Sequence, residues 1–319
     1  MKVAVIGGVT STELLVRKLA AHGFDDVRVW GYVPTDSTNV SGWVDLARVA
    51  ADCGFAYAPF RKVTECEAAL IDFAPDILFV VGLSQIVPQS MIDAATRHAI
   101  GFHPTRLPKG RGRAAMAWLV LREEDGAANF FELRQGVDDG PIHVQTVYPV
   151  GPDDTASSVE AKMLDAEARA LDEWLPRLKA GKAVPVEQDH DDASWFARRT
   201  PDDGRIDWQQ GAEAIDRLVR ASTRPHPGAF SHAGDERVVI WASSLVDRDE
   251  AGVPGRILRV EGDQFDMATG DGILRVSQWE ATGGWSPRVG QRLGYDPEIE
   301  IADLRRRLAA LEAKMSGDS

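Results

Sequence analysis

The sequence predicts an α/β fold, a mostly parallel sheet with helices on both faces, followed by a small β-rich domain. Three observations predict it. Short β-branched runs alternate with amphipathic stretches through the first half, one long amphipathic segment follows, and past about residue 205 the pattern becomes short alternating runs separated by glycine turns. Apolar runs separated by helices imply parallel strands covered on both faces, whereas short alternating runs imply antiparallel pairing.

In chain order, "KVAVIGG" reads as the first strand and "STELLVRKLAAHG" as the first helix. Leu14, Leu15, Leu19 and Ala20 repeat at helical spacing, Ser11 or Thr12 can cap the start, and Gly23 can end it. The Gly7-Gly8 pair stands where a dinucleotide fingerprint would, but "GGVTST" lacks the third glycine and no acidic residue ends the second strand, which argues against a nicotinamide cofactor. Further strands are expected at 27–33, 77–83 and 98–104, with helices around 42–53, 63–73 and 88–97. His103 then stands at the C-terminal end of a strand, the edge where such sheets bind ligands. In "DTASSVEAKMLDAEARALDEWLPRLKAG", Val159, Met163, Ala166, Leu171, Trp174 and Leu175 share one helical face, with Asp154 or Thr155 as cap and Gly181 as end. The expected organisation is a catalytic domain at 1–190, a linker at 191–204, a β-rich domain at 205–300, and a terminal helix and tail at 301–319. In that helix Ile301, Leu304, Leu308, Leu311 and Met315 follow a 3-4-3-4 spacing. Packing on its own domain is the first reading, and pairing in a homodimer is the alternative.

Composition bounds the partners. The 319 residues carry 36 Lys plus Arg against 49 Asp plus Glu, a net charge of −13, so nothing in the overall field attracts nucleic acid or an anionic membrane. Cys53 and Cys66 fit neither a disulfide framework nor a metal spacing, and no metal is expected. The run in "MKVAVIGG" is too short for a signal peptide and no segment reaches the length of a membrane span, so a cytoplasmic location is expected.

Two loops carry candidate chemistry. "FHPTRLPKGRGRAAMAW" displays His103 between a strand and a helix, and "RQGVDDGPIHVQ" places Asp138 and Asp139 at a turn entering a strand, thirty-five residues beyond the His. Taken singly, either could be a turn-forming residue. Together with "DDT", "FARRTPDDGRIDW", "IDRLVRASTRPHPGAF" and "VVIWASSLV", these segments resemble the folate-dependent formyltransferases over nearly the whole chain. Methionyl-tRNA formyltransferase belongs to that family, and the resemblance is nearest in type to amino-sugar N-formyltransferases such as the one acting on UDP-4-amino-4-deoxy-L-arabinose. It implies a Rossmann-like first domain, an OB-like second, and 10-formyltetrahydrofolate as co-substrate. It also implies His103 as acid or oxyanion donor, and Asp138, two residues before the glycine, as the carboxylate that orients it and assists proton removal.

The family's Asn two residues before the His is Gly101 here, so a donor toward the formyl oxygen is missing. Gln85 in "GLSQIVP" is the candidate replacement, with Ser84 and backbone amides as rivals. By the same resemblance, the folate pocket would comprise Leu83, Ser84, Ile86, Val87, Met116 and Trp118, with Gly136 on the opposite wall. Arg111 would meet the folate or brace the loop. Lys109 and Arg113 could reach acceptor phosphates, and Tyr32, Trp43 or Phe102 could stack on a base. The expected acceptor is a small-molecule amine, first a nucleotide-linked amino sugar. Alternatives are a side-chain or hydroxylamine nitrogen such as that of N-hydroxyornithine, methionyl-tRNA, or an inactive folate-binding protein. The acidic chain, with Arg48 the only cation between Pro34 and Cys53, argues against tRNA.

Overall fold

The structure, a computed structural model, describes residues 1–36, 42–295 and 297–317. Residues 37–41 of the Pro34 to Cys53 stretch and residues 318–319 of the expected tail lie outside the described residues. The chain divides into two compact units, Met1–Arg199 and Thr200–Ser319.

The first unit runs β1 (Lys2–Gly7), α1 (Thr10–Ala21), β2 (Asp26–Tyr32), α2 (Leu46–Cys53), β3 (Ala56–Phe60), α3 (Glu67–Phe73), β4 (Ile77–Val81), α4 (Gln89–Asp93), β5 (His98–Thr105), β6 (Arg111–Gly112), α5 (Ala115–Arg122), β7 (Gly126–Glu132), β8 (Ile142–Tyr148), α6 (Ala156–Lys179) and β9 (Trp195–Phe196). Its seven-stranded sheet has the order β3-β2-β1-β4-β5-β7-β8. The first five are mutually parallel, and β7 and β8 add antiparallel. Alternation along β1 sends Val3 and Val5 into one core with Leu15, Phe79, Phe130 and Trp174, and Ala4 and Ile6 into the other with Val63, Leu70, Leu78 and Met91. Both faces of the sheet are therefore covered. Cys66 lies in the second core, where burial pushes its thiol up to about 12.

The cap of α6 forms as read, but that of α1 does not: α1 starts after Val9, and Ser11 and Thr12 are buried inside its first turn, where the Thr12 hydroxyl accepts from the Gly8 and Val9 N–H groups. Thr155 caps α6, its hydroxyl accepting from the Ser158 N–H at 3.2 Å, and Gly54 ends α2 in the left-handed region at φ 73°. All six expected apolar residues of α6 are buried, and so is Glu167 among them. The segment at 191–204 is not a free linker. Trp195 and Phe196 pair with Arg111 and Gly112 as β9 on β6, and Thr200 caps a 3-10 turn, Pro201–Gly204, in the second unit.

The second unit consists of α7 (Ala212–Ser222), β10 (Ala229–Ala233), β11 (Glu236–Val246), β12 (Ile257–Glu261), β13 (Gln264–Ala268), β14 (Ile273–Ala281) and α8 (Pro297–Gly317). Its five-stranded sheet, β10-β11-β14-β13-β12, is antiparallel throughout. Ile215 and Val219 of α7 pack with Val238, Phe265, Met267 and Leu274. The terminal helix corrects an expectation. Leu304, Leu308, Leu311 and Met315 are 57% to 79% exposed, so the apolar stripe is not packed on its own domain. Among the described residues no helix is long and apolar enough to cross a membrane.

Candidate active site

The site is built where β5 ends. Along β5, Ile100 and Phe102 face the core that contains Trp174, while Ala99 faces the other, so alternation puts Gly101 and His103 on the Ala99 side. The His103 side chain is buried, with Nε2 2.8 Å from the Gly110 carbonyl and Nδ1 3.5 Å from Asp138 Oδ2. A carbonyl only accepts, so Nε2 carries the proton and donates. Nδ1, the other ring nitrogen, faces the Asp138 carboxylate. A proton arriving there is shared between a ring nitrogen and an acid, which is the arrangement of a proton relay.

Asp138 is held from three sides. Its backbone is left-handed at φ 51°, which a short polar residue tolerates, and its Oδ2 accepts from the Gly112 N–H at 2.9 Å. Gly112 has φ 112°, and a Cβ there would lie 2.4 Å from the Phe196 carbonyl oxygen, so only glycine presents its N–H in this place. The third support is Gln188, whose Nε2 donates to the carbonyls of Asp138 at 2.9 Å and Gly140 at 2.7 Å. Gln188 Oε1 in turn accepts from Arg111 Nη2 at 2.7 Å, and the same nitrogen lies 3.1 Å from His190 Nδ1. Arg111, only 3% exposed, is therefore spent on bracing. Pocket lining is not its role.

Sequence reasoning missed Gln188 and also Asn129. The fully buried Asn129 turns the two protons of its Nδ2 toward the carbonyls of His103, Thr105 and Ala127, which share them, and its Oδ1 accepts from Gln145 Nε2 at 2.7 Å. This amide pins the last turn of β5 to β7. The signal was an Asn inside the apolar run "GAANFFE", where a buried amide needs partners.

The His-Asp pair on adjoining loops, carried by this sheet, can be set beside known proteins. The family model described as formyl transferase matches residues 45–175, and the one described as formyl transferase, C-terminal domain, matches residues 198–286, together well over half the chain. The chain belongs to the formyl transferase family. Among solved structures, the N-formyltransferase from Helicobacter canadensis in complex with folinic acid and dTDP-3-aminofucose shares the fold at a TM-score of 0.67 and 17% identity, over 88% of this chain and 100% of that one. HypX from Aquifex aeolicus in complex with tetrahydrofolic acid matches at 0.63 and 18%, over 91% of this chain but 46% of its own. Methionyl-tRNA formyltransferase from Clostridium thermocellum matches at 0.56 and 18%, over 77% and 94%.

In this formyl transferase, Gln85 does not stand free to replace the missing Asn. Its Oε1 accepts from the Val63 N–H and its Nε2 donates to the Arg61 carbonyl, both at 2.8 Å, so the amide is committed to a neighbouring loop. An Asn at position 101 would need neighbours to shift, since a Cβ there would sit 2.7 Å from Leu133 Cδ2 and 3.0 Å from Phe131 Cζ. Of the expected folate slot, Leu83 and Val87 back onto the second core, Ile86 is 93% exposed and Met116 is half-buried. Trp118 goes elsewhere. Its Nε1 donates to the Ala197 carbonyl at 2.8 Å and its ring stacks on Phe196. Ser84 is exposed, and its carbonyl accepts from Arg113. Gly136 is explained by Asp139, whose carboxylate folds to within 1.8 Å of where a Cβ would stand. Asp139 is half-buried with Oδ1 unpartnered.

Proposed function

We propose that this formyl transferase passes the formyl group of 10-formyltetrahydrofolate to the amine of a nucleotide-linked amino sugar. The single observation that carries the reaction is the buried His103 imidazole with Nδ1 facing Asp138 and Nε2 fixed by Gly110. The amine nitrogen attacks the formyl carbon, the tetrahedral carbon bears an oxyanion, and the bond to N10 breaks. The proton lost by the ammonium passes through Asp138 to Nδ1, and the imidazolium returns it to the departing N10. With no Asn at position 101, the positive imidazolium and the exposed Ser84 on the neighbouring loop are the groups proposed to meet the oxyanion.

The acceptor class is supported by the N-formyltransferase neighbour that holds dTDP-3-aminofucose and by a second neighbour, WlaRD, described as a sugar 3N-formyl transferase. The charge of −13 works against a tRNA acceptor, which needs a basic surface. The test is a panel of dTDP- and UDP-linked amino sugars beside N-hydroxyornithine and charged initiator tRNA, scored for tetrahydrofolate release. Turnover of a sugar nucleotide alone upholds the reading, and turnover of tRNA or of the hydroxylamine alone replaces it. Folate binding with no acceptor turned over would make the chain a binding protein.

As macromolecular partner we propose a second copy of the chain, joined through α8. With Ile301 and Leu308 at the a positions and Leu304 and Leu311 at d, the g and e positions hold Glu300, Arg305, Arg307 and Glu312. Parallel pairing sets Glu300 against Arg305 of the second copy and Arg307 against Glu312, all attractive. Antiparallel pairing centred on Leu308 sets Arg307 against itself. The charges therefore favour the parallel dimer.

A further inference from the structure

Away from the formyl site, three potential ligands converge from three adjacent strands. His98 is the first residue of β5, Glu132 the last of β7, and His143 the second of β8. His98 Nδ1 lies 2.6 Å and His143 Nε2 2.8 Å from the same oxygen, Glu132 Oε1, and one ligand atom from each residue falls within 4.8 Å of the others. We propose that His98, Glu132 and His143 form a binding site for a divalent cation of the zinc class.

The placement of His143 is a built feature. Phe130 pairs with Val144 and Phe131 with Ile142, so His143 is the extra residue of a β-bulge in β8. Strict alternation would turn it away from the Val144 face. The bulge re-aims it, so that its fully buried ring packs on Trp174 and reaches Glu132. Its Nδ1 is buried without a partner, so the hydrogen bond to Glu132 leaves this imidazole only half satisfied.

The donor set is chemically selective. Two imidazoles and a carboxylate suit zinc or its neighbours rather than calcium or magnesium, which prefer oxygen alone. Ligands about 2.05 Å from a tetrahedral ion stand roughly 3.3 Å apart, so the two contacts must open by about 0.5–0.7 Å. That is a small side-chain rotation. His98 and Glu132 side chains remain about one-fifth exposed, which leaves an entry path and room for a water ligand. The site is separate from His103, five residues along β5 or ~17 Å, and on the other face of the sheet. Glu132 and His143 nevertheless flank the loop that carries Asp138, so a bound ion would clamp the stem of that loop.

The full chain, stripped with a chelator, is titrated with zinc alone by calorimetry and with cobalt alone in the visible. One ion per chain is expected, with the ligand-field bands of a low-symmetry cobalt centre. His98→Ala removes a partly exposed ligand, and Glu132→Gln keeps the acceptor oxygen for both imidazoles while removing the charge. Each should weaken binding about a hundredfold or more, since even loss of an outer-shell partner costs about 10- to 100-fold. Circular dichroism melts of the metal-free variants show whether they are folded. No stoichiometric binding, or binding that both variants leave unchanged, overturns the proposal.

Discussion

Restoring the family residue at position 101 is the perturbation that separates packing from chemistry at this site. In Gly101→Asn the new Cβ would meet Leu133 Cδ2 at 2.7 Å and Phe131 Cζ at 3.0 Å, against an optimum near 3.5–4.0 Å between carbons. Leu133 must move by about 1 Å, and the amide enters a space between two apolar side chains. Overpacking of this kind costs about 1–3 kcal/mol, offset by roughly 0.5–1 kcal/mol from removing a glycine from a strand interior. A net loss of about 1–2 kcal/mol is expected, seen as a melting temperature lowered by about 5 °C. Formyl transfer should not rise, because the amide enters between the Leu133 and Phe131 side chains. In the Leu133→Ala background the same substitution should cost less, a coupling that a double-mutant cycle in denaturant measures. A Gly101→Asn protein as stable as its parent and at least tenfold more active would refute the reasoning, by showing that the position is open.

Three further outcomes follow from the same contacts. Gln188→Ala should cost about 2–4 kcal/mol, because it strips partners from the buried Arg111 and from the Asp138 and Gly140 carbonyls, and it should lower kcat more than it raises KM as the Asp138 loop loosens. Glu167 is fully buried, and burial raises its carboxyl well above the ordinary value of 4.5, so the folded chain keeps a proton that the unfolded chain releases. Stability should therefore fall by about 1.4 kcal/mol per pH unit above 4.5 until the folded group titrates, and Glu167→Gln should raise the melting temperature at pH 8 but leave it unchanged at pH 4. For α8, sedimentation should show that Glu300→Arg weakens self-association and that adding Arg305→Glu restores it; a dimer insensitive to both would place the interface elsewhere.

Much of this was legible in residues whose physics is local. Alternation in "KVAVIGG", the α6 face and the glycine stops are set by neighbours a few positions away, and the structure places them as read. The strand "AYAPF", with a proline and two alanines, carried too little apolar signal to be seen, and β7 hid behind the loop that follows it. At the site, His103 and Asp138 were visible because their loops have strong turn residues and a recognisable spacing. Gln188 was not, because a glutamine in a polar stretch looks solvated until the fold brings Arg111 beneath it. Gln85 and Trp118 were misplaced for the converse reason. Their partners, the backbone at 61–63 and Ala197, are distant in sequence, and no local pattern records them.

The central claim is that His103 and Asp138 act as one proton relay in formyl transfer to an amino sugar. Single-turnover transfer from 10-formyltetrahydrofolate to a dTDP- or UDP-linked amino sugar tests it most directly, with His103→Ala, Asp138→Asn and the double variant compared with the parent chain. The account predicts a loss of about 10²- to 10⁴-fold in each single variant, little further loss in the double variant, and folate binding retained in all three. Full activity in either single variant, or losses that multiply in the double, would contradict it.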